Sequence, residues 1–346
     1  MRLGTVLVVG GSGFLGSHIV KRLLSANHAS HIAVTSRNPK TRDGKDDRLS
    51  YHAVDISSMS EIEALFQEIK PQVVIHTASP LPRSCPSVLH ATNVIGTQNL
   101  LKAANACPET KAFVYTSSDS TCHPSPFKQI TENQCILHTP ATATNAYGKT
   151  KAIADAAVLV ANSPELRTAT LRLPAVYGEG DPNFIPQIIA SIRNGEHKNQ
   201  IGPNEKMFEF VYIESAAEAH ILAARALLAK TPNASGQAYF ITDGEPQPFF
   251  DFMRKCYAAA GYPVAKEEVR VIPFWVVMTI ASVGEWAYWV FTLGLRTPKL
   301  RREDIEHLNT GCWWSEEKAK ELLGYRPVVE QGEAVRKSME WGMANC

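Results

Sequence analysis

Apolar runs and amphipathic stretches alternate along the first half of the chain. Thr5–Val9 is a short apolar run, and after a glycine-rich stretch Leu15, Ile19, Val20, Leu23 and Leu24 recur on one helical face. Strand-like runs follow at His31–Thr35 and Tyr51–Val54. Ser58 and Glu61 have the spacing of a capping box, which predicts a helix ending near Lys70, where Pro71 stops it. The β-branched run Gln72–His76 predicts a fourth strand, and Val88–Ala106 a helix. Ala112–Thr116 then reads as a strand, Asn145–Asn162 as a helix and Thr168–Leu173 as a sixth strand. Strands separated in turn by helices imply a parallel sheet covered on both faces.

Composition narrows the classes. The chain has 346 residues, 45% of them hydrophobic and 20% charged, enough apolar material for a large core. Its 35 basic and 34 acidic side chains leave a formal net charge of +1, which argues against nucleic acid as the partner. The seven cysteines are scattered without a CxxC pair, so neither a disulfide framework nor a thiolate zinc site is indicated, and a reducing compartment fits. None of the 11 histidines stands in a His-x-x-x-His pair, and no metal site is expected. The apolar run at the N-terminus is too short for a secretory signal.

Chemistry enters with Gly10-Gly11-Ser12-Gly13-Phe14-Leu15-Gly16, placed between the first strand and the first helix. There Gly10 permits a tight turn, Gly13 lets backbone approach a pyrophosphate, and Gly16 lets helix pack close to strand. Helix N–H groups then face the phosphates. The second strand ends in Thr35-Ser36-Arg37-Asn38, with no acid to accept ribose hydroxyls. Arg37 suits a 2′-phosphate, with Ser36 adding a hydroxyl, so NADP(H) is expected in preference to NAD(H), which stays open. The predicted fold is α/β: a doubly wound parallel-sheet Rossmann domain over residues 1–177, rejoined by about 207–243, and a smaller, mostly helical C-terminal substrate domain over 178–346.

Tyr147 and Lys151 lie one turn apart on a predicted helix, and Thr116-Ser117-Ser118 ends the fifth strand. A tyrosine titrates near 10 when free, and an adjacent ammonium lowers that value toward the range where it exchanges protons. A serine hydroxyl can steady the substrate oxygen meanwhile. His76, at a strand end, suits a packed core position.

These motifs resemble the extended short-chain dehydrogenase/reductases, carried by Gly10–Gly16, His76–Pro80, Asn93, Tyr115–Ser118, Tyr147–Lys151 and Leu171–Gly178. Phe208–Tyr212 with Glu214, His220–Ala224 and Gly236–Thr242 make the chain most similar to the 3β-hydroxysteroid dehydrogenase and sterol-4α-carboxylate 3-dehydrogenase group. The resemblance implies Ser118, Tyr147 and Lys151 as the catalytic trio. It implies Asp55 and Ile56 beside adenine, Ala78 and Ser79 near the nicotinamide ribose, and Pro174 and Val176 against the nicotinamide. Candidate substrate contacts are Pro80, Asn183, Phe184 and Tyr212. Dimers are common among such enzymes, which makes a homodimer an expectation. Two departures stand out. Ser36-Arg37-Asn38-Pro39 resembles the NADPH-using dihydroflavonol reductase branch, and Asp119 puts an acid after Ser118, where it is expected to face solvent.

Residues 271–295 contain three tryptophans and a single charge, Glu285. The first expectation is a buried helix lining an apolar substrate site; a helix lying on a membrane, or spanning one, are the others. The sequence thus predicts an NADP(H)-dependent ketoreductase for a bulky hydrophobic molecule such as a sterol, terpenoid or polyketide. It is placed in the cytoplasm or at the cytosolic face of the endoplasmic reticulum. NAD-dependent oxidation and decarboxylation of a 3β-hydroxy-4-carboxysterol is the alternative, and a non-catalytic dinucleotide sensor the third.

Overall fold

The computed structural model describes residues 2–39, 46–139, 141–143, 145–293, 298 and 300–346, apart from the side chain of residue 304. One sheet has seven strands: β1 (Thr5–Val9), β2 (His31–Ser36), β3 (Leu49–Ala53), β4 (Val73–His76), β5 (Ala112–Ser118), β6 (Arg167–Leu173) and β7 (Gln237–Phe240). Their order is β7-β6-β5-β4-β1-β2-β3, and every neighbouring pair is parallel. The chain winds outward from β1 to β3, then returns to lay β4 on the other side of β1. That reversal opens a crevice at the carboxyl ends of β1 and β4, the usual ligand position in such sheets.

Alternation along the strands sorts side chains to two faces. Val6, Val8, Ile32, Val34, Ile75 and Val114 pack with residues of helices Phe14–Ser25 and Ile213–Leu228. Leu7, Val9, Ala33, Val74, Phe113 and Tyr115 pack with helices Met59–Ile69, Thr97–Ala106 and Ala146–Val160. A third cluster joins helices Phe184–Arg193, Phe249–Ala259 and Gln331–Asn345 around Phe210, Phe252 and Trp314.

Three local expectations change. No side chain caps helix Met59–Ile69; the Glu61 carboxylate accepts instead from the Asp55 amide at 2.8 Å, tying the helix to the loop after β3. The helix expected from Val88 begins at Pro86 and widens to a π-helical segment over His90–Gly96. Gly96 there lies so close to Ile56 that a Cβ would come within 2.5 Å of its side chain. The third change concerns residues 271–295, of which 294 and 295 lie outside the described residues. Helix Phe274–Thr292 is not buried: only Val277 and Ala281 are, against Ile305 of helix Arg302–Thr310, while Trp275, Trp286 and Trp289 are each about two-thirds exposed. Glu285 sits comfortably in this apolar helix because the Arg302 amide and Nε donate to it at 2.9 and 3.0 Å.

Candidate active site

The glycine loop is shaped by what side chains would strike. Gly10 has φ +81°, and a Cβ there would lie 2.8 Å from the Ala78 backbone. At Gly16 a Cβ would lie 2.3 Å from the Gly10 carbonyl oxygen, whereas at Gly13 it would meet only that oxygen, at 3.2 Å. The Gly13 surface is therefore open to a close-lying phosphate. No side chain caps helix Phe14–Ser25, which leaves its first amides for an anion. These residues fit a dinucleotide pyrophosphate. Phe14 and Leu15 turn their side chains toward the third core cluster.

Around the loop, Ser36 Oγ donates to Ser12 Oγ at 3.4 Å, and Arg37 beside it is exposed. Asp55 Oδ1 accepts from the Ser57 hydroxyl and amide at 2.7 and 2.9 Å. Those bonds hold its carboxyl below the usual range, and the Arg37 charge adds to the effect. Ile56 is buried, with its carbonyl taken by Asn99 at 3.0 Å. Pro174 is buried after β6, and Val176 pairs with Val211 in a short parallel ladder.

The three residues of the expected trio converge at the carboxyl end of β5. Asn145 caps the helix of Tyr147 and Lys151, accepting from the Gly148 amide at 2.7 Å, and the Tyr147 hydroxyl lies beside the Ser118 and Ser79 hydroxyls, which favour its ionised form. Burial nonetheless holds the phenol above its ordinary value. Lys151 differs from the expectation: its ammonium donates to the Thr116 carbonyl and lies 4.4 Å over the Tyr115 ring. It is 2% exposed, and that burial brings its pKa down to about 7, with Asp155 opposing. The carbonyl is the acceptor within reach of a buried ammonium, so the charge is spent there. His76 is fully buried and bonded to Thr97 Oγ1 at 3.1 Å; burial brings it down to about 3, as suits a core residue.

Sequence reasoning gave three groups no part in the site: Asn93 and Asp119, which it named, and Glu209, which it did not. Asn93, buried in the π-helical segment, accepts from Ser79 at 3.1 Å and donates to Thr150 at 3.0 Å, so it braces Ser79 against the helix of Tyr147. An asparagine flanked by Thr97 and Val94 on a buried face was the available signal. Asp119 does not simply face solvent: one carboxylate oxygen accepts from Ser118 Oγ at 3.4 Å and the other from Trp314 Nε1 at 3.3 Å. Burial raises its carboxyl, against the pull of His307 and these hydrogen bonds. Glu209 is 1% exposed and pushed up to about 9, by burial first and then by Glu316. Only the fold, which returns residues 207–212 and 312–314 toward β5, makes the last two legible.

Candidate substrate contacts scatter. Pro80 follows Ser79, whose hydroxyl donates to the Pro80 carbonyl at 3.2 Å. Asn183 is exposed, and Phe184 stacks on Phe210 and Phe252. Tyr212 is buried and gives its hydroxyl to the Glu179 carboxylate at 2.8 Å, a core position in place of the expected substrate-facing one.

The sequence profile of the 3-beta hydroxysteroid dehydrogenase/isomerase family matches residues 7–271. The chain belongs to that family. It is 47% identical over 292 residues to the decarboxylating sterol-4-alpha-carboxylate 3-dehydrogenase of Gibberella zeae, covering 83% of this chain and 96% of that protein. To the enzyme of the same name from Schizosaccharomyces pombe it is 34% identical over 343 residues, or 99% of this chain and 98% of the relative. Among solved structures, the UDP-glucose 4-epimerase of Thermus thermophilus in complex with NAD superposes with a TM-score of 0.72 at 22% identity, over 99% of this chain and 100% of that one. That likeness speaks for the Rossmann fold. As a 3-beta hydroxysteroid dehydrogenase family member, the chain is an oxidoreductase with a dinucleotide cofactor and a hydrophobic small-molecule substrate.

Proposed function

We propose that this enzyme oxidises the 3β-hydroxyl of a sterol bearing a 4-carboxylate, and that carbon dioxide leaves. The identity to sterol-4-alpha-carboxylate 3-dehydrogenases across 83% and 99% of the chain carries this reading over the ketoreductase expected from Arg37. Ser118 holds the substrate oxygen while Tyr147 accepts the hydroxyl proton, the Ser118 and Ser79 hydroxyls beside it opposing the burial that disfavours its phenolate. Asn93 fixes Ser79 for this task. When bound, the dinucleotide supplies the hydride acceptor. The 3-ketone so formed stands β to the carboxylate, so the bond to that carbon breaks with its electrons drawn toward the ketone, and the enol returns to ketone. Residues 178–346, without the returning 207–243, form the substrate side. Purified enzyme should reduce its dinucleotide with a 3β-hydroxy-4-carboxysterol. Oxidation of reduced dinucleotide by 3-ketosterols alone would instead restore the reductase reading.

Loss of carbon dioxide makes the oxidation irreversible, so an NADP-accepting pocket is compatible with it. We infer that Arg37 admits the 2′-phosphate of NADP, supported by its position after β2 and its charge beside Asp55. Binding of NADPH and NADH side by side tests this: Arg37→Ala should remove an NADPH margin of about 1–3 kcal/mol. Equal binding of both by the unaltered enzyme would make Arg37 a bystander. We also infer that helix Phe274–Thr292 rests on a lipid surface. Among the described residues it is the one helix long and apolar enough to cross a membrane, and its exposed aromatic side chains support a membrane-facing position.

A further inference from the structure

Cys122 and Cys135 stand apart from the other cysteines because the fold makes them neighbours. Cys122 follows β5 by four residues and bridges antiparallel to Leu137. The His123 amide donates to the Ile136 carbonyl and the His138 amide to the Thr121 carbonyl, both at 2.8 Å, which fixes the register on either side. In that register Cys135, two residues before Leu137, shares a face with Cys122 and lies diagonally across from it. Both side chains pack into the same core cluster.

Their surroundings divide the roles. Cys122 is 4% exposed, and burial pushes its thiol well up. Cys135 is half-buried and receives Arg172 Nη1 at 3.8 Å. Its thiol is held below the ordinary value by the neighbouring Cys122 thiol first, with the guanidinium contributing after the opposing effect of burial. Arg172 is held in place by Asp155, whose two oxygens accept from it at 2.8 and 3.1 Å. A positive charge fixed beside a reachable sulfur, with a second sulfur behind it, is the arrangement in which a thiolate reacts and a neighbour resolves the product.

We propose that Cys122 and Cys135 form a hydroperoxide-reactive pair that closes to an intrachain disulfide. The Cys135 thiolate attacks a peroxide oxygen; the S–O bond forms, the O–O bond breaks, and the departing alkoxide or hydroxide takes a proton. Cys122 sulfur then attacks the resulting sulfenic acid, the S–S bond forms, and hydroxide leaves with the Cys122 proton as water. Two electrons pass from the thiols to the peroxide, giving one disulfide, one alcohol or water, and one further water. The crosslink spans the segment that follows Ser118 and takes from Arg172 its sulfur partner.

Full-length protein treated with hydrogen peroxide, alkylated and digested without reduction tests this by mass spectrometry. A linked pair of peptides containing Cys122 and Cys135 should form about tenfold faster than oxidation of the exposed Cys85, and a thiol reductant should reverse it. Cys135→Ser should leave Cys122 reduced. Cys122→Ala should stop at a sulfenic acid on Cys135, trapped by a cyclic 1,3-diketone. Cys85 oxidising first, or Cys135 appearing only in links to other cysteines or other molecules, would overturn the proposal. Because Cys135 is half-exposed, its serine variant keeps the test decisive even if Cys122→Ala folds poorly.

Discussion

A buried carboxyl and a buried ammonium near the same strand end respond to pH in opposite senses. Glu209 has its folded pKa raised from 4.5 to about 9. Its contribution to stability is therefore fully present below pH 4.5 and is lost as pH rises through 9. Glu209→Gln should abolish that decline, making the variant more stable than the parent at pH 9 by about 1–3 kcal/mol, the cost of a poorly satisfied buried group. Denaturant unfolding across this range reads the effect; parallel curves for both proteins would show that Glu209 is solvated. Lys151, depressed to about 7, penalises the fold below that value and ceases to do so as pH climbs toward 10.5. Tyr147→Phe should cut turnover by about 10²–10⁴-fold, the usual contribution of a general acid or base, while dinucleotide binding stays within twofold or so. A loss of binding with turnover per bound enzyme intact would remove Tyr147 from proton transfer.

Elements carry the next layer. The first strand and helix are coupled through Gly16, where an added methyl carbon would sit 2.3 Å from the Gly10 carbonyl oxygen. Gly16→Ala should cost about 1–3 kcal/mol by overpacking and weaken dinucleotide binding with it, read by thermal unfolding and titration. Helix Phe274–Thr292 makes the contrary prediction. Because Trp286 and Trp289 are each 66% exposed, replacing both by serine should leave the unfolding midpoint unchanged and lower binding to phospholipid vesicles. A lowered midpoint with unchanged vesicle binding would mean that another protein surface covers this helix. The strands of the sheet, the glycine loop and the Tyr147 helix were legible from local pattern, because each is set by periodicity or by a turn that only glycine permits. The long apolar helix was not: composition reports that a segment is apolar, and the neighbours that decide burial lie elsewhere in the chain.

At the scale of the molecule, the site is assembled from four distant stretches. The Gly10 loop, the Ser79–Asn93 pair, Ser118 with Asp119, and the Tyr147 helix meet because a parallel sheet brings successive strand ends to one edge. Sequence could name the residues at those ends. It could not anticipate that Lys151 turns to Thr116, that Trp314 returns to bond Asp119, or that Tyr212 is taken by Glu179, since each depends on a partner between 33 and 195 residues away. Arg37 shows the same limit from the other side: one loop residue suggested a reductase, whereas identity spread over the whole chain favours an oxidative sterol enzyme. The most direct measurement is release of labelled carbon dioxide from a 3β-hydroxysterol carrying the label in its 4-carboxylate, with dinucleotide reduction followed in the same vessel. One equivalent of labelled gas per dinucleotide reduced, and neither product with Tyr147→Phe, is the predicted result. Dinucleotide reduction with the label retained in the sterol, or no turnover until a 3-ketosterol and reduced dinucleotide are supplied, would contradict it.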